Sequence, residues 1–127
     1  MKKKILIIED YAHIVEVLRV RLENAGFEII TALDGQEGLQ RAREDNPDLI
    51  ILDVMLPKMN GYKLCRLLKF DKKYQKTPIF MLTSRRKNSD RELGKKTGAD
   101  EYITKPYEPK ELVGLINHYL KLSELPA

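Results

Sequence analysis

The chain has 127 residues, 43% hydrophobic and 33% charged, with a formal net charge of +4, a size and mix that suit one domain with one core and exclude a disordered chain. No apolar run nears the ~20 residues of a membrane span, and Glu9 and Asp10 cut the N-terminal apolar run to four residues, too short for the ~7–15 of a signal core. A lone cysteine, Cys65, permits no internal disulfide, reads as a small buried hydrophobe and fits a reducing, cytoplasmic setting.

In chain order, Lys4 to Ile8 reads as a buried strand ending at Glu9-Asp10. Tyr11 to Asn24 carries Ile14, Val17, Leu18 and Leu22 at the spacing of an amphipathic helix, stopped by Gly26. Phe27 to Ala32 is a second strand, and Asp34 caps a helix to about Glu44 with Leu39 and Ala42 inward. The unbroken apolar run Leu49 to Leu52 leads into Asp53 and reads as a strand covered on both faces. Gly61 to about Phe70 is a third helix with Leu64, Cys65 and Leu68 inward. Pro78 to Leu82 is a fourth strand, followed by Thr83-Ser84. A short, polar fourth helix spans about Ser89 to Lys96, Glu101 to Ile103 makes a fifth strand, and the last helix runs from Pro109 to Leu122 with Leu112, Leu115, Ile116 and Tyr119 inward.

Five alternations of strand and helix predict an α/β fold: a doubly wound parallel sheet of five strands in the flavodoxin-like order 2-1-3-4-5, with five helices on its two faces. Residues 1–122 form one domain, and 123–127 read as a tail or the stub of a linker. Residues 63–96 hold twelve Lys and Arg against three acids. With no nucleic-acid motif among them, a solvated surface or a face for an acidic protein partner is expected rather than direct nucleic-acid binding.

The predicted order makes the first and third strands neighbours, which gathers Glu9, Asp10 and Asp53 in one crevice beyond the carboxyl ends of the strands. Three like charges so close raise one another's pKa values, and either partial protonation or a bound cation relieves them. Oxygen ligands with room for water suit Mg2+. Thr83 after the fourth strand and Lys105 after the fifth reach the same rim. The set is a carboxylate nucleophile, a metal site, a hydroxyl and an ammonium, the parts that hold a phosphoryl group.

These residues resemble the receiver domain of two-component response regulators, the chemotaxis regulators among them, over about residues 3–122. The matching motifs are Glu9-Asp10, Asp53 with Pro57 and Gly61 behind it, Thr83-Ser84, and Gly98 through Pro106. The resemblance implies that Asp53 accepts a phosphoryl group from a phosphohistidine of a sensor kinase or phosphotransfer protein. It implies Mg2+ held by Glu9, Asp10, Asp53 and the backbone carbonyl of Met55, and phosphoryl contacts from Thr83 and Lys105. It further implies a cis Lys105–Pro106 bond that aims the lysine, and switching through Thr83 and an inward-turning Tyr102. That switch reshapes the face of the fourth helix, fifth strand and last helix; the weak fourth helix is the natural two-state element. Met55 and Arg85 stand where the family tunes the lifetime of the acyl phosphate. Such a protein accepts phosphate and can dephosphorylate itself, without turning over a separate substrate.

Two departures stand out. The fourth helix is unusually basic, with Arg91, Lys95 and Lys96 preceded by Arg85, Arg86 and Lys87, which points to an acidic partner. Val15 replaces a residue that is often charged, and is either exposed for kinase docking or part of the core edge. A haloacid-dehalogenase-type phosphatase would want an acid where Met55 stands. A flavodoxin-like cofactor binder would not place Glu9-Asp10 at its phosphate loop. A phosphorylation-independent receiver would have lost rim residues, and none is lost. The cognate kinase, a stand-alone or multidomain setting and a phosphorylation-dependent dimer stay open.

Overall fold

The structure, a computed structural model, describes residues 2–85 and 87–124, the last three by backbone alone. Its elements alternate as β1 (Lys4–Ile8), α1 (Ala12–Asn24), β2 (Glu28–Ala32), α2 (Gly35–Asp45), β3 (Leu49–Leu52), α3 (Gly61–Lys69), β4 (Ile79–Thr83), α4 (Asn88–Lys96), β5 (Glu101–Thr104) and α5 (Pro109–Glu124). The strands form one parallel sheet in the predicted order β2-β1-β3-β4-β5. None of the described helices is long and apolar enough to cross a membrane.

Alternation of side chains along each strand splits the core into two layers. Leu6, Ile8, Ile50, Leu52, Ile79 and Met81 pack with α2 and α3 residues such as Ala42, Leu64, Cys65 and Leu68. Ile5, Ile7, Leu49, Ile51, Phe80 and Leu82 pack with Leu18 and Leu22 of α1 and with Leu112, Ile116 and Leu120 of α5. Every residue of β3 is buried, as are all of β4 and all but the first of β1. Each such Ile or Leu contributes roughly 1.5–3 kcal/mol by leaving water.

Helix starts follow from local chemistry. The Asp34 carboxylate accepts the Glu37 N–H at 2.9 Å at the head of α2, and the Asn60 side-chain oxygen accepts the Lys63 N–H at 2.9 Å at the head of α3. Neither α1 nor α4 has a side-chain cap, and Gly94 is the one buried residue of α4 among those described.

Two expectations change. Val15, open between docking and core, is 8% exposed and belongs to the core, whereas Val17, expected inward, is 42% exposed. The buried stripe of α1 is Val15, Leu18 and Leu22, and Val17 lies about 100° round the helix from Leu18. The last helix runs to Glu124 rather than Leu122, two residues into the expected tail; 125–127 lie outside the described residues, as does Arg86.

Candidate functional site

Parallel pairing sets the site. Ile8 and Leu52 are partners across β1 and β3, and the Asp53 N–H donates to the Ile8 carbonyl at 3.1 Å. Glu9 and Asp53 therefore leave adjacent strands side by side. On the other flank Thr83 pairs with Thr104, and the Lys105 N–H donates to the Thr83 carbonyl at 2.8 Å. This brings the Lys105 side chain back across the sheet edge, and the Lys105–Pro106 bond is cis.

The lysine lies between the two acids. Its Nζ donates to Glu9 Oε1 at 3.1 Å and stands 3.6 Å from Asp53 Oδ2. Glu9 is 3% exposed, and its other oxygen accepts the Asp10 N–H at 3.0 Å. Burial, then the charge of Asp53, push the Glu9 carboxyl above its usual value, and the Lys105 contact opposes them. Asp53 Oδ1 accepts the Met55 N–H at 3.2 Å, which leaves its second oxygen facing Lys105. Asp10 is solvent-exposed and lines a cleft with Met55, Asn60, Tyr62 and Arg85.

The loop after Asp53 depends on a close backbone approach. A Cβ on Gly61 would collide with the Asp53 carbonyl oxygen and come within 2.7 Å of Val54 Cα, and the Gly61 N–H donates to the Val54 carbonyl at 2.8 Å. Only glycine lets α3 begin directly against the acid.

Thr83 is fully buried, and its Oγ1 accepts the Arg85 N–H at 3.3 Å. Tyr102 is partly buried against the core layer of α2 and α3, and its hydroxyl donates to the Arg85 carbonyl at 3.1 Å. Arg91 covers its ring at 5.6 Å and donates to the carbonyl of Tyr102 and the hydroxyl of Thr104. Two members of the expected basic face are thus turned onto the protein: Arg91 onto Tyr102, and Arg85 toward Asp90 at 3.5 Å. Lys87, Lys95 and Lys96 remain exposed.

Of the residues singled out in the sequence, Glu9, Asp53 and Lys105 meet directly, Thr83 adjoins them under the surface, and Asp10 and Met55 stand on the open lip. Among the described residues no three Asp, Glu, His or Cys side chains are grouped to hold a metal by themselves. The donors are all oxygens, and Glu9 and Asp53 carry negative charge that one ammonium only partly offsets. This fits Mg2+, which takes one or two carboxylates and completes its shell with water and phosphate oxygens. Cys65 is fully buried, and burial pushes its thiol up to about 11, which leaves it inert. Sequence reasoning missed Tyr62, Asp90 and Gly94, which contact Tyr102 or its neighbours. An aromatic with a polar tip directly after Gly61 was the available signal for Tyr62.

A family model described as "Response regulator receiver domain" matches residues 5–117. The alkaline phosphatase synthesis transcriptional regulatory protein PhoP of Bacillus subtilis is 44% identical over 127 residues, all of this chain and 52% of that protein. The DNA-binding response regulator MtrA of Mycobacterium bovis is 41% identical over 98% of this chain and 53% of its own length. The chain thus spans about half the length of these curated relatives. Among solved structures, a putative response regulator from Chloroflexus aurantiacus superposes with a TM-score of 0.90 at 36% identity, covering 95% of this chain and 99% of that one. The chemotaxis response regulator CheY4 of Vibrio cholerae gives 0.87 at 32% identity, covering 94% and 99%.

Proposed function

The chain belongs to the response regulator receiver domain family, and from that premise we propose that Asp53 is its phosphoacceptor, charged by a phosphohistidine of a sensor kinase or phosphotransfer protein. The observation that carries this is the Glu9–Lys105–Asp53 contact, which leaves one oxygen of a strand-end carboxylate facing an ammonium. In the reaction an Asp53 carboxylate oxygen bonds to phosphorus as the donor's N–P bond breaks, and the departing imidazole nitrogen takes a proton from solvent. Lys105 pairs with one phosphoryl oxygen and Thr83 donates its hydroxyl to another. Glu9, Asp10, Asp53 and the Met55 carbonyl would hold Mg2+, which neutralises phosphoryl oxygens when bound.

The acyl phosphate adds negative charge beside Thr83, and the contacts from Thr83 through Arg85 to Tyr102 pass that change to the face of α4, β5 and α5. Incubation with acetyl phosphate and Mg2+, read by intact mass, tests the assignment. One phosphoryl adduct is expected, absent in Asp53→Asn; an adduct that persists in that variant overturns it.

The exposed Lys95 and Lys96 support an acidic partner at α4. Reversing both charges should weaken that partner's binding and reduce its salt dependence. Unchanged affinity and salt dependence for every partner would remove the idea.

A further inference from the structure

Tyr102 ends in a small network of hydroxyls and carbonyls that joins four elements. Its single hydroxyl proton goes to the Arg85 carbonyl at 3.1 Å, so its oxygen is left to accept. The Tyr62 hydroxyl, on the first turn of α3, lies 3.4 Å from that oxygen. The Tyr62 hydroxyl also has one proton, and it is shared among the Asp90 carbonyl at 3.2 Å, Asp90 Oδ1 at 3.4 Å and the Tyr102 oxygen as acceptors. Asp90 in turn draws the Arg85 guanidinium, and Arg85 is the residue whose N–H meets Thr83 Oγ1. Gly94 gives the Tyr102 ring its seat: a Cβ there would come 2.6 Å from the ring.

We propose that Tyr62 is a positioning residue for the switch, its hydroxyl holding the Tyr102 ring inward between α3 and α4. The inference rests on reading Tyr102 as the switch residue of the proposed function. Tyr62 stands on α3, whose inner face is locked in the core by Leu64, Cys65 and Leu68. Arg85 and Asp90 belong to the β4–α4 turn and to α4, which buries only Gly94 among its residues. Among the described groups around the Tyr102 hydroxyl, Tyr62 is the one on an element whose inner face is locked in the core, and it links both sides of the seat. Burial, first among the causes, keeps its hydroxyl above the ordinary tyrosine value, so it stays a donor at any physiological pH. The contacts are long for hydroxyl hydrogen bonds, which places the effect at the low end for one neutral bond, about two- to five-fold in the inward population.

Tyr62→Phe removes the oxygen and keeps the ring. Photochemically induced nuclear polarisation reports which of the six tyrosines are open to solvent, and the Tyr102 signal is assigned by its loss in Tyr102→Phe. In unphosphorylated, Mg2+-free protein the Tyr102 signal should rise in Tyr62→Phe. With Mg2+ present, affinity for beryllofluoride, a phosphoryl mimic, should fall about two- to five-fold. In a Tyr102→Phe background the same substitution should leave beryllofluoride affinity unchanged, because its route is then already cut. An unaltered Tyr102 signal, or an equal loss of affinity in both backgrounds, overturns the proposal. Acetyl phosphate labelling of wild type tests the phosphoacceptor reading separately, since the exposure measurement involves neither phosphate nor metal.

Discussion

Glu9 and Lys105, 96 residues apart in sequence, meet at 3.1 Å with the acid almost wholly buried. The same ammonium is 3.6 Å from Asp53, so one cation separates two carboxylates on neighbouring strands. Removing it leaves a buried acid facing a like charge. Lys105→Met should therefore cost about 1–3 kcal/mol of stability in metal-free buffer, less than for a fully enclosed pair because Lys105 reaches solvent.

The same substitution predicts a sign for metal binding. Without the lysine the acids repel each other more strongly and attract a divalent cation more strongly. The rise in Tm on adding Mg2+ should be larger in Lys105→Met than in wild type. Equal rises would mean that the lysine and the metal do not share the site.

On α1, Leu18→Ala should destabilise by about 2–4 kcal/mol, since Leu18 is 2% exposed within the α1–α5 core layer. Val17→Ala, on the solvent side, should stay within about 0.5 kcal/mol. Urea unfolding of both variants checks the rotation of the helix; a large loss at Val17 would turn the face back to the one its sequence spacing suggested.

That helix shows where the sequence is legible and where it is not. Apolar runs marked β1, β3 and β4, which the parallel sheet buries on both faces, while the half-buried edge strands β2 and β5 and the order followed from turn residues and the alternation of strands with helices. The rim was legible for a related reason: Glu9, Asp53, Thr83 and Lys105 each stand at or just beyond a strand end, strand order sets Glu9 beside Asp53 and Thr83 beside Lys105, and the length of the lysine side chain closes the set. Helix faces were harder. Ile14, Val15, Val17, Leu18 and Val20 are all apolar, so periodicity admits more than one buried stripe, and packing on β1 and β2 decides. The surroundings of Tyr102 were not legible, because its partners Tyr62, Arg85 and Arg91 depend on side-chain directions across three elements.

Asp34 supplies a pH test. Its carboxylate accepts the Glu37 N–H at 2.9 Å, and Lys58 stands 3.4 Å away. The Glu37 contact, aided by Lys58 against a smaller opposing effect of burial, holds the carboxyl below its usual 3.8. A group with a lowered folded value contributes its stability above the unfolded value and loses it as pH falls through the folded one. The Tm difference between wild type and Asp34→Ala should be full at neutral pH and shrink steadily below 3.8. A difference that is flat through the acid range would show that the cap acts without its charge.

Gly94 offers the most direct lever on the switch proposed at Tyr102. Alanine in its place gains helix propensity, about 1 kcal/mol in an exposed helix, yet its Cβ would sit 2.6 Å from Tyr102 Cδ2 and 3.4 Å from Met81 Sδ. Met81, buried in β4, stands at ordinary contact distance and need not move, whereas the Tyr102 ring is too close, is only partly buried and is tied by long hydroxyl contacts. The ring is therefore the part that yields. Gly94→Ala should expose Tyr102 to solvent more than Tyr62→Phe does, since a steric clash excludes the inward seat while a lost hydroxyl merely weakens it. Affinity for beryllofluoride with Mg2+ should fall accordingly, with Asp53 still the site labelled by acetyl phosphate. A variant that gains the full helix-propensity increment in stability, with the Tyr102 signal unmoved, would show that α4 shifts as a body and that Tyr102 is not seated by it.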